Sequence, residues 1–163
     1  MEIISNSPLE TEELGEQLGS LLSAGTTVAL QGGLGSGKTC FTRGIVASAA
    51  PESAHLVSSP TFAIMNIYPG SSTVYHFDFY RLSGDNDIAE LGFDDYFHGD
   101  GVCVIEWSER LFELLPLDHI TVGFEFTGNT RRCITLTACG SKSSDILEKL
   151  VKLRKCSFLQ KNL

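Results

Sequence analysis

Residues 31–41 read QGGLGSGKTCF and follow the β-prone run TTVAL at 26–30. Within this stretch, Gly32 to Thr39 fit the spacing G-x-x-x-x-G-K-[ST]. The chemistry explains the spacing. A loop that wraps a polyphosphate turns successive backbone N–H groups inward, and side chains at its tightest points would collide with the anion. The helix that follows offers its unpaired N–H groups and the positive end of its dipole. Lys38 reaches the outer phosphates, and the Thr39 hydroxyl ligates Mg²⁺. A glycine-rich turn without a ligand leaves the lysine and threonine at the helix start unexplained. Gly32, Gly33, Leu34, Gly35, Ser36 and Gly37, followed by Lys38, Thr39 and Cys40, are therefore the candidate nucleotide-binding set. Cys40 falls in the first helical turn, where a dipole lowers a thiol pKa, but its simplest role is structural filling.

The chain on either side reads as alternating strands and helices. EIIS (2–5) is a short strand. Ser7 caps a helix with Pro8 at its first position and Glu10 closing a capping box. Leu14, Leu18, Leu21 and Leu22 share one face of that helix, and Gly25 ends it. CFTRGIVASAA (40–50) is the next helix, stopped near Pro51. FAIMNIY (62–68) and STVYHFDFY (72–80) form an antiparallel pair turned at Pro69-Gly70. DNDIAELGFDDYF (85–97) is one or two short helices. GVCVIEW (101–107) is a strand buried on both faces, and SERLFELL (108–115) is a short helix ended by Pro116. HITVGFEF (119–126) places Ile120, Val122, Phe124 and Phe126 on one face and turns at 127–130 into RRCITLTA (131–138). From Ser143 onward, Ile146, Leu147, Leu150, Val151 and Arg154 recur at helical spacing. The expected fold is α/β and P-loop NTPase-like: a mixed central sheet with antiparallel hairpins, flanked by helices.

A P-loop site also needs acids near the metal. VCVIE delivers Glu106 at the carboxyl end of the most apolar strand, and VYHFD delivers Asp78 in the same way. The carboxyl edge of the sheet is where α/β folds bind ligands. Glu106, on the more apolar strand, is the expected second metal residue beside Thr39. Asp78, at the end of a strand with a polar, aromatic pattern, is expected either to orient the attacking water or to sense the terminal phosphate through the S-P-T-F loop. His76 reads as a buried structural histidine.

With 42% hydrophobic and 20% charged residues among 163, the chain is long and apolar enough for one globular domain spanning 1–163. The net charge of −8 excludes a surface that is a nucleic-acid platform throughout. Six of the twelve basic residues lie in 142–163, an amphipathic basic C-terminal helix whose charged side faces solvent. The five cysteines include no C-x-x-C pair, so neither a disulfide framework nor a zinc site is expected. No apolar run is long enough to span a bilayer, and the acidic N-terminus lacks a signal core. A reducing cytoplasm is the expected compartment.

Four segments carry a family resemblance: GGLGSGKTCFTRG (32–44), SSPTFAIMNIY (58–68), YHFDFYRL (75–82) and VIEWSERL (104–111). In this order and spacing they resemble the TsaE family, small bacterial ATPases that take part in making threonylcarbamoyladenosine in tRNA. The resemblance runs from about Leu9 to Leu115 and continues more weakly through the second hairpin. It implies a P-loop ATPase using ATP and Mg²⁺. Its partners would be a metal-dependent threonylcarbamoyl transferase subunit and that subunit's non-catalytic paralogue, reset between cycles, with tRNA met only through the complex. The transfer chemistry would belong to the partner. By the same resemblance, Lys38 and Thr39 match the phosphate and Mg²⁺ ligands, and Ser59 and Thr61 match a switch-like loop near the terminal phosphate. Asp78 and Glu106 match the two essential acids, and Arg81 and Trp107 match positions near the nucleotide. The family usually has an acid at Gly33 and a threonine at Cys40. Two other classes share the loop. A small-molecule kinase needs an arginine-rich lid over its second substrate, and the arginines here form none. A regulatory GTPase needs N-K-x-D, which does not occur.

Overall fold

The computed structural model describes residues 1–82, 92–111 and 114–160. Its strands are β1 (Glu2–Ser5), β2 (Thr26–Gln31), β3 (Met65–Tyr68), β4 (Val74–Asp78), β5 (Val102–Glu106), β6 (His119–Phe126) and β7 (Arg132–Cys139). Its helices are α1 (Pro8–Gly19), α2 (Lys38–Ala49), α3 (Asp94–Phe97) and α4 (Ser141–Gln160), with 3₁₀ turns at Pro51–Leu56 and Ser108–Arg110. The seven strands form one sheet in the order β1-β7-β6-β2-β5-β4-β3. β6, β2, β5 and β4 run parallel, while β3 and β7 pair antiparallel with β4 and β6, and β1 pairs antiparallel with β7. This is the mixed α/β sheet that the alternation of elements predicts.

Burial follows from position in the sheet. β2 and β5 lie at the centre, and every residue of β5 is buried, as expected of a strand covered on both faces. Val102 and Val104 face a core built with α1, α2 and α4, through Leu14, Leu18, Phe41, Ile45, Ile146 and Leu150. Cys103 and Ile105 face the opposite core, an aromatic cluster of Phe77, Phe79, Phe93 and Phe97. On β6, Ile120, Val122 and Phe124 are buried, but Phe126 is 54% exposed where the strand runs past the end of β2 and stays paired with β7 alone.

α1 and α2 pack closely because glycines line their contact. A Cβ at Gly44 would sit 2.0 Å from the Glu12 carbonyl oxygen, and one at Gly15 would sit 2.2 Å from that of Phe41. The Ser7 cap forms, its Oγ accepting the Glu10 N–H at 3.2 Å. The reciprocal bond goes one residue further back, from the Asn6 N–H to the Glu10 carboxylate at 2.7 Å.

Three local expectations need correction. α1 stops at Gly19, where Ser20 donates to the Glu16 carbonyl. Gly25 instead opens β2, its N–H bonded to Gly101 at 2.8 Å. The strand expected from Phe62 starts only at Met65, because Ile64 takes a positive φ of 68°. Of SERLFELL, Ser108–Arg110 form a short helix of 3₁₀ type, with i→i+3 bonds from Arg110 to Trp107 and from Leu111 to Ser108. Positions 112–113 of that segment lie outside the described residues. So does most of the helical segment expected at 85–97, of which Asp94–Phe97 is helical.

Candidate nucleotide and metal site

The loop leaves β2 at Gln31 and enters α2 at Lys38. Gly32 has φ +143°, and a Cβ there would meet the Phe124 carbonyl oxygen at 2.8 Å. Gly37, at φ +114°, makes the left-handed step into the helix. The first helical bond runs from the Phe41 N–H to the Gly37 carbonyl. The N–H groups of Lys38, Thr39 and Cys40 therefore have no helical acceptor and suit an anion.

Lys38 is 4% exposed. Its ammonium donates to the carbonyls of Gly32 at 2.6 Å and Gly33 at 2.9 Å, and lies 4.1 Å from the centre of the Trp107 ring. Burial lowers its pKa, partly opposed by the charges of Glu106, Glu109 and Asp78. Cys40 fits the structural-filler reading better than that of a dipole-lowered thiol. Burial, and then the charge of Glu12, push it up.

The parallel register of β4, β5 and β2 sets Asp78 beside Glu106 and Glu106 beside Leu30, so both acids end at the edge where the loop begins. The Thr39 hydroxyl donates to Glu106 Oε1 at 2.7 Å. A hydroxyl and a carboxylate brought together are hard oxygen donors suited to Mg²⁺, so the residues present fit that ion. Asp78 is held from two sides. Its Oδ2 accepts from Thr61 Oγ1 at 2.9 Å and from the Ser59 hydroxyl, while Oδ1 accepts the Tyr80 N–H at 2.9 Å.

Positions 34–40, Ser59, Thr61, Asp78, Glu106 and Trp107 line one cavity of about 320 Å³. Gly32 and Gly33 meet it through their carbonyls on Lys38. Arg81 is not among the lining residues, and its guanidinium lies 4.0 Å from the centre of the Phe62 ring. Ile64 and Trp107 are the non-glycine residues with positive φ among those described. Both flank this site, and such backbone costs of order 1–3 kcal/mol each.

Sequence reasoning assigns no role at the site to Tyr80 or Arg132 and reads His76 as structural only. Tyr80 lines the cavity, its ring 5.0 Å from that of Trp107. Arg132 donates to the Ser36 carbonyl at 3.0 Å and braces the loop from β7. His76 is fully buried, as expected, but its Nε2 also lies 2.9 Å from Glu106 Oε1. Strand alternation was the available signal, since it puts His76 on the same face as Asp78 two residues later.

Comparison with known proteins bears on the family and the fold. The family described as "Threonylcarbamoyl adenosine biosynthesis protein TsaE" matches residues 5–134. A tRNA threonylcarbamoyladenosine biosynthesis protein TsaE from Treponema pallidum (strain Nichols) is 38% identical over 136 residues, covering 83% of this chain and 99% of the relative. One from Bacillus subtilis (strain 168) is 35% identical over 145 residues, covering 88% and 89%. A crystal structure of Bacillus subtilis YdiB superposes with a TM-score of 0.78 at 30% identity, covering 94% of this chain and 95% of that one.

Proposed function

The chain belongs to the TsaE family, and on that premise we propose that it is a Mg²⁺-dependent ATPase serving threonylcarbamoyl modification of the adenosine next to the anticodon in tRNA. The observation that carries the reading is the Thr39–Glu106 contact of 2.7 Å at the foot of the phosphate loop. It joins a P-loop hydroxyl to a carboxylate from the neighbouring strand.

In this reading the N–H groups of Lys38, Thr39 and Cys40 receive the phosphates of ATP. The Lys38 ammonium exchanges its loop carbonyls for the outer phosphate oxygens. Mg²⁺ held at Thr39 and Glu106 supplies charge neutralisation for the phosphates. Asp78, fixed by Thr61, Ser59 and the Tyr80 N–H, orients a water for attack on the terminal phosphorus. The bond from that phosphorus to the bridging oxygen breaks, leaving ADP and phosphate. Catalysis of this kind is mostly positioning and charge.

The proposed partners are the threonylcarbamoyl transferase subunit and its non-catalytic paralogue, with ATP hydrolysis acting on that assembly rather than performing the transfer. Turnover by the protein alone is slow, and the partners stimulate it. The net charge of −8 supports contact with tRNA only through the complex. The proposed compartment is the cytoplasm. All five cysteines are free, and among the described residues no helix is long and apolar enough to cross a membrane.

The experiment is phosphate release from ATP without any acceptor, with and without the two partner proteins, across a magnesium titration. Stimulation by the partners, and a raised magnesium requirement in Glu106→Gln, are the expected results. Strict dependence on a small-molecule acceptor would overturn the reading in favour of a kinase.

A further inference from the structure

The imidazole of His76 is fully buried on β4, and its Nε2 lies 2.9 Å from Oε1 of Glu106, itself 3% exposed. A carboxylate only accepts, so Nε2 carries the hydrogen. Nδ1 is buried with no hydrogen-bond partner, so the imidazole has one polar contact, and that contact is to Glu106. A histidine retained for packing alone would bear the cost of two buried nitrogens with no return. Thr39 donates to the same oxygen at 2.7 Å. Both donors therefore fall on Oε1, and among the described residues none reaches Oε2, which is left to the cavity that Glu106 lines.

We propose that His76 is a positioning residue: its Nε2–H clamps Oε1 of Glu106 so that Oε2 and the Thr39 oxygen are presented together to a divalent cation. The proposal rests on the metal reading of Thr39 and Glu106 given above. The same division of labour is general at metal sites, where a hydrogen bond to the ligand fixes its orientation, and losing it costs about 10–100-fold in metal affinity. β4 is well suited to the task. Its parallel pairing with β5 sets Val104 opposite His76 and Glu106 opposite Asp78. The histidine thus reaches one step along the neighbouring strand to the acid at its end.

The test compares wild type, His76→Leu, His76→Asn and His76→Gln. Trp107, the only tryptophan in the chain, lines the cavity and reports ATP binding by its fluorescence during magnesium titration. Thermal unfolding is followed alongside. His76→Leu should raise the half-saturating Mg²⁺ concentration about 10–100-fold, with ATP affinity at saturating Mg²⁺ near wild type. His76→Gln, which keeps an N–H donor at a similar reach, should recover most of the loss. If the leucine variant does not fold, the shorter amide of His76→Asn takes its place and should shift the magnesium requirement where His76→Gln does not. A folded His76→Leu or His76→Asn protein with the wild-type magnesium requirement overturns the proposal. Glu106→Gln separates the two levels. If it shifts the magnesium requirement and the His76 variants do not, only the role of His76 fails. If it has no effect either, the metal reading of the site fails and this proposal with it.

Discussion

Thr61 Oγ1 and Asp78 Oδ2 are joined by a hydrogen bond of 2.9 Å between positions 17 residues apart in the chain. The bond ties the S-P-T-F loop to the end of β4 and leaves Asp78 with little freedom. A carboxylate held this firmly is prepared to orient a small nucleophile. Asp78→Asn should leave ATP binding nearly intact and slow hydrolysis by ~100-fold or more, the usual cost of losing one general-base or positioning group. Phosphate release and ATP affinity measured on the same preparation check this. A variant that hydrolyses at the wild-type rate would make the aspartate structural.

Lys38→Ala should abolish tight ATP binding. The lysine is almost fully buried, but its partners are loop carbonyls and an aromatic face rather than an opposite charge in contact. Bound phosphate would be its first close anionic partner, and a charge-assisted bond contributes ~3 kcal/mol, about 100-fold in affinity. Calorimetric titration with ATP, alongside circular dichroism to show the variant is folded, is the check. Unchanged affinity in a folded protein would remove the phosphate loop from the account.

Gly44→Ala should destabilise the fold without touching the nucleotide site directly. The new methyl would approach the Glu12 carbonyl oxygen to 2.0 Å, and backbone on both sides must move to relieve it. Overpacking of this kind costs about 1–3 kcal/mol. The measurement is thermal or urea unfolding, and a variant as stable as wild type would show that α1 and α2 slide apart freely.

Asp118 supplies an acid-sensitive contribution to stability. Burial alone would raise its carboxyl, but the N–H groups of Lys142 and Ser143, the Ser143 hydroxyl and the Lys142 charge together hold it below the ordinary value of 3.8. The bonds to Lys142 and Ser143, at 2.8 and 2.9 Å, cap the start of α4. Because the folded pKa is the lower one, this stabilisation is complete above 3.8 and is lost as pH falls through the folded value. Asp118→Asn should melt lower than wild type at neutral pH. The gap to wild type should close on acidification below pH 4. A gap that persists unchanged at low pH would mean that the charge is irrelevant to the cap.

The residues that line the candidate site were largely legible because they are written locally. Lys38 and Thr39 are contiguous, Glu106 closes an apolar strand whose burial can be read from composition, and Asp78 closes a strand of β-branched and aromatic residues. The Ser7 cap and the final amphipathic helix were legible for the same reason. The pairing of His76 with Glu106 was not, because it depends on β4 lying parallel to β5, between positions 30 apart in the chain. The 3₁₀ character of Ser108–Arg110 was hidden as well. The helical spacing of SERLFELL is genuine, but the chain enters it from Trp107 in a left-handed conformation and closes with i→i+3 bonds. Arg81 matches a nucleotide position by family likeness, and only side-chain placement shows it stacked on Phe62 outside the cavity lining.

The strand order has a consequence for synthesis on the ribosome. β2 leads into the glycine-rich loop proposed to bind nucleotide, yet its neighbours in the sheet are β5 and β6, which end at Glu106 and Phe126. A nascent chain that has emerged only as far as α2 has the complete loop sequence without either strand that flanks it. Pairings between segments so far apart in sequence form late. Competence to bind nucleotide should therefore appear abruptly, once β6 has left the exit tunnel, and not grow in step with chain length.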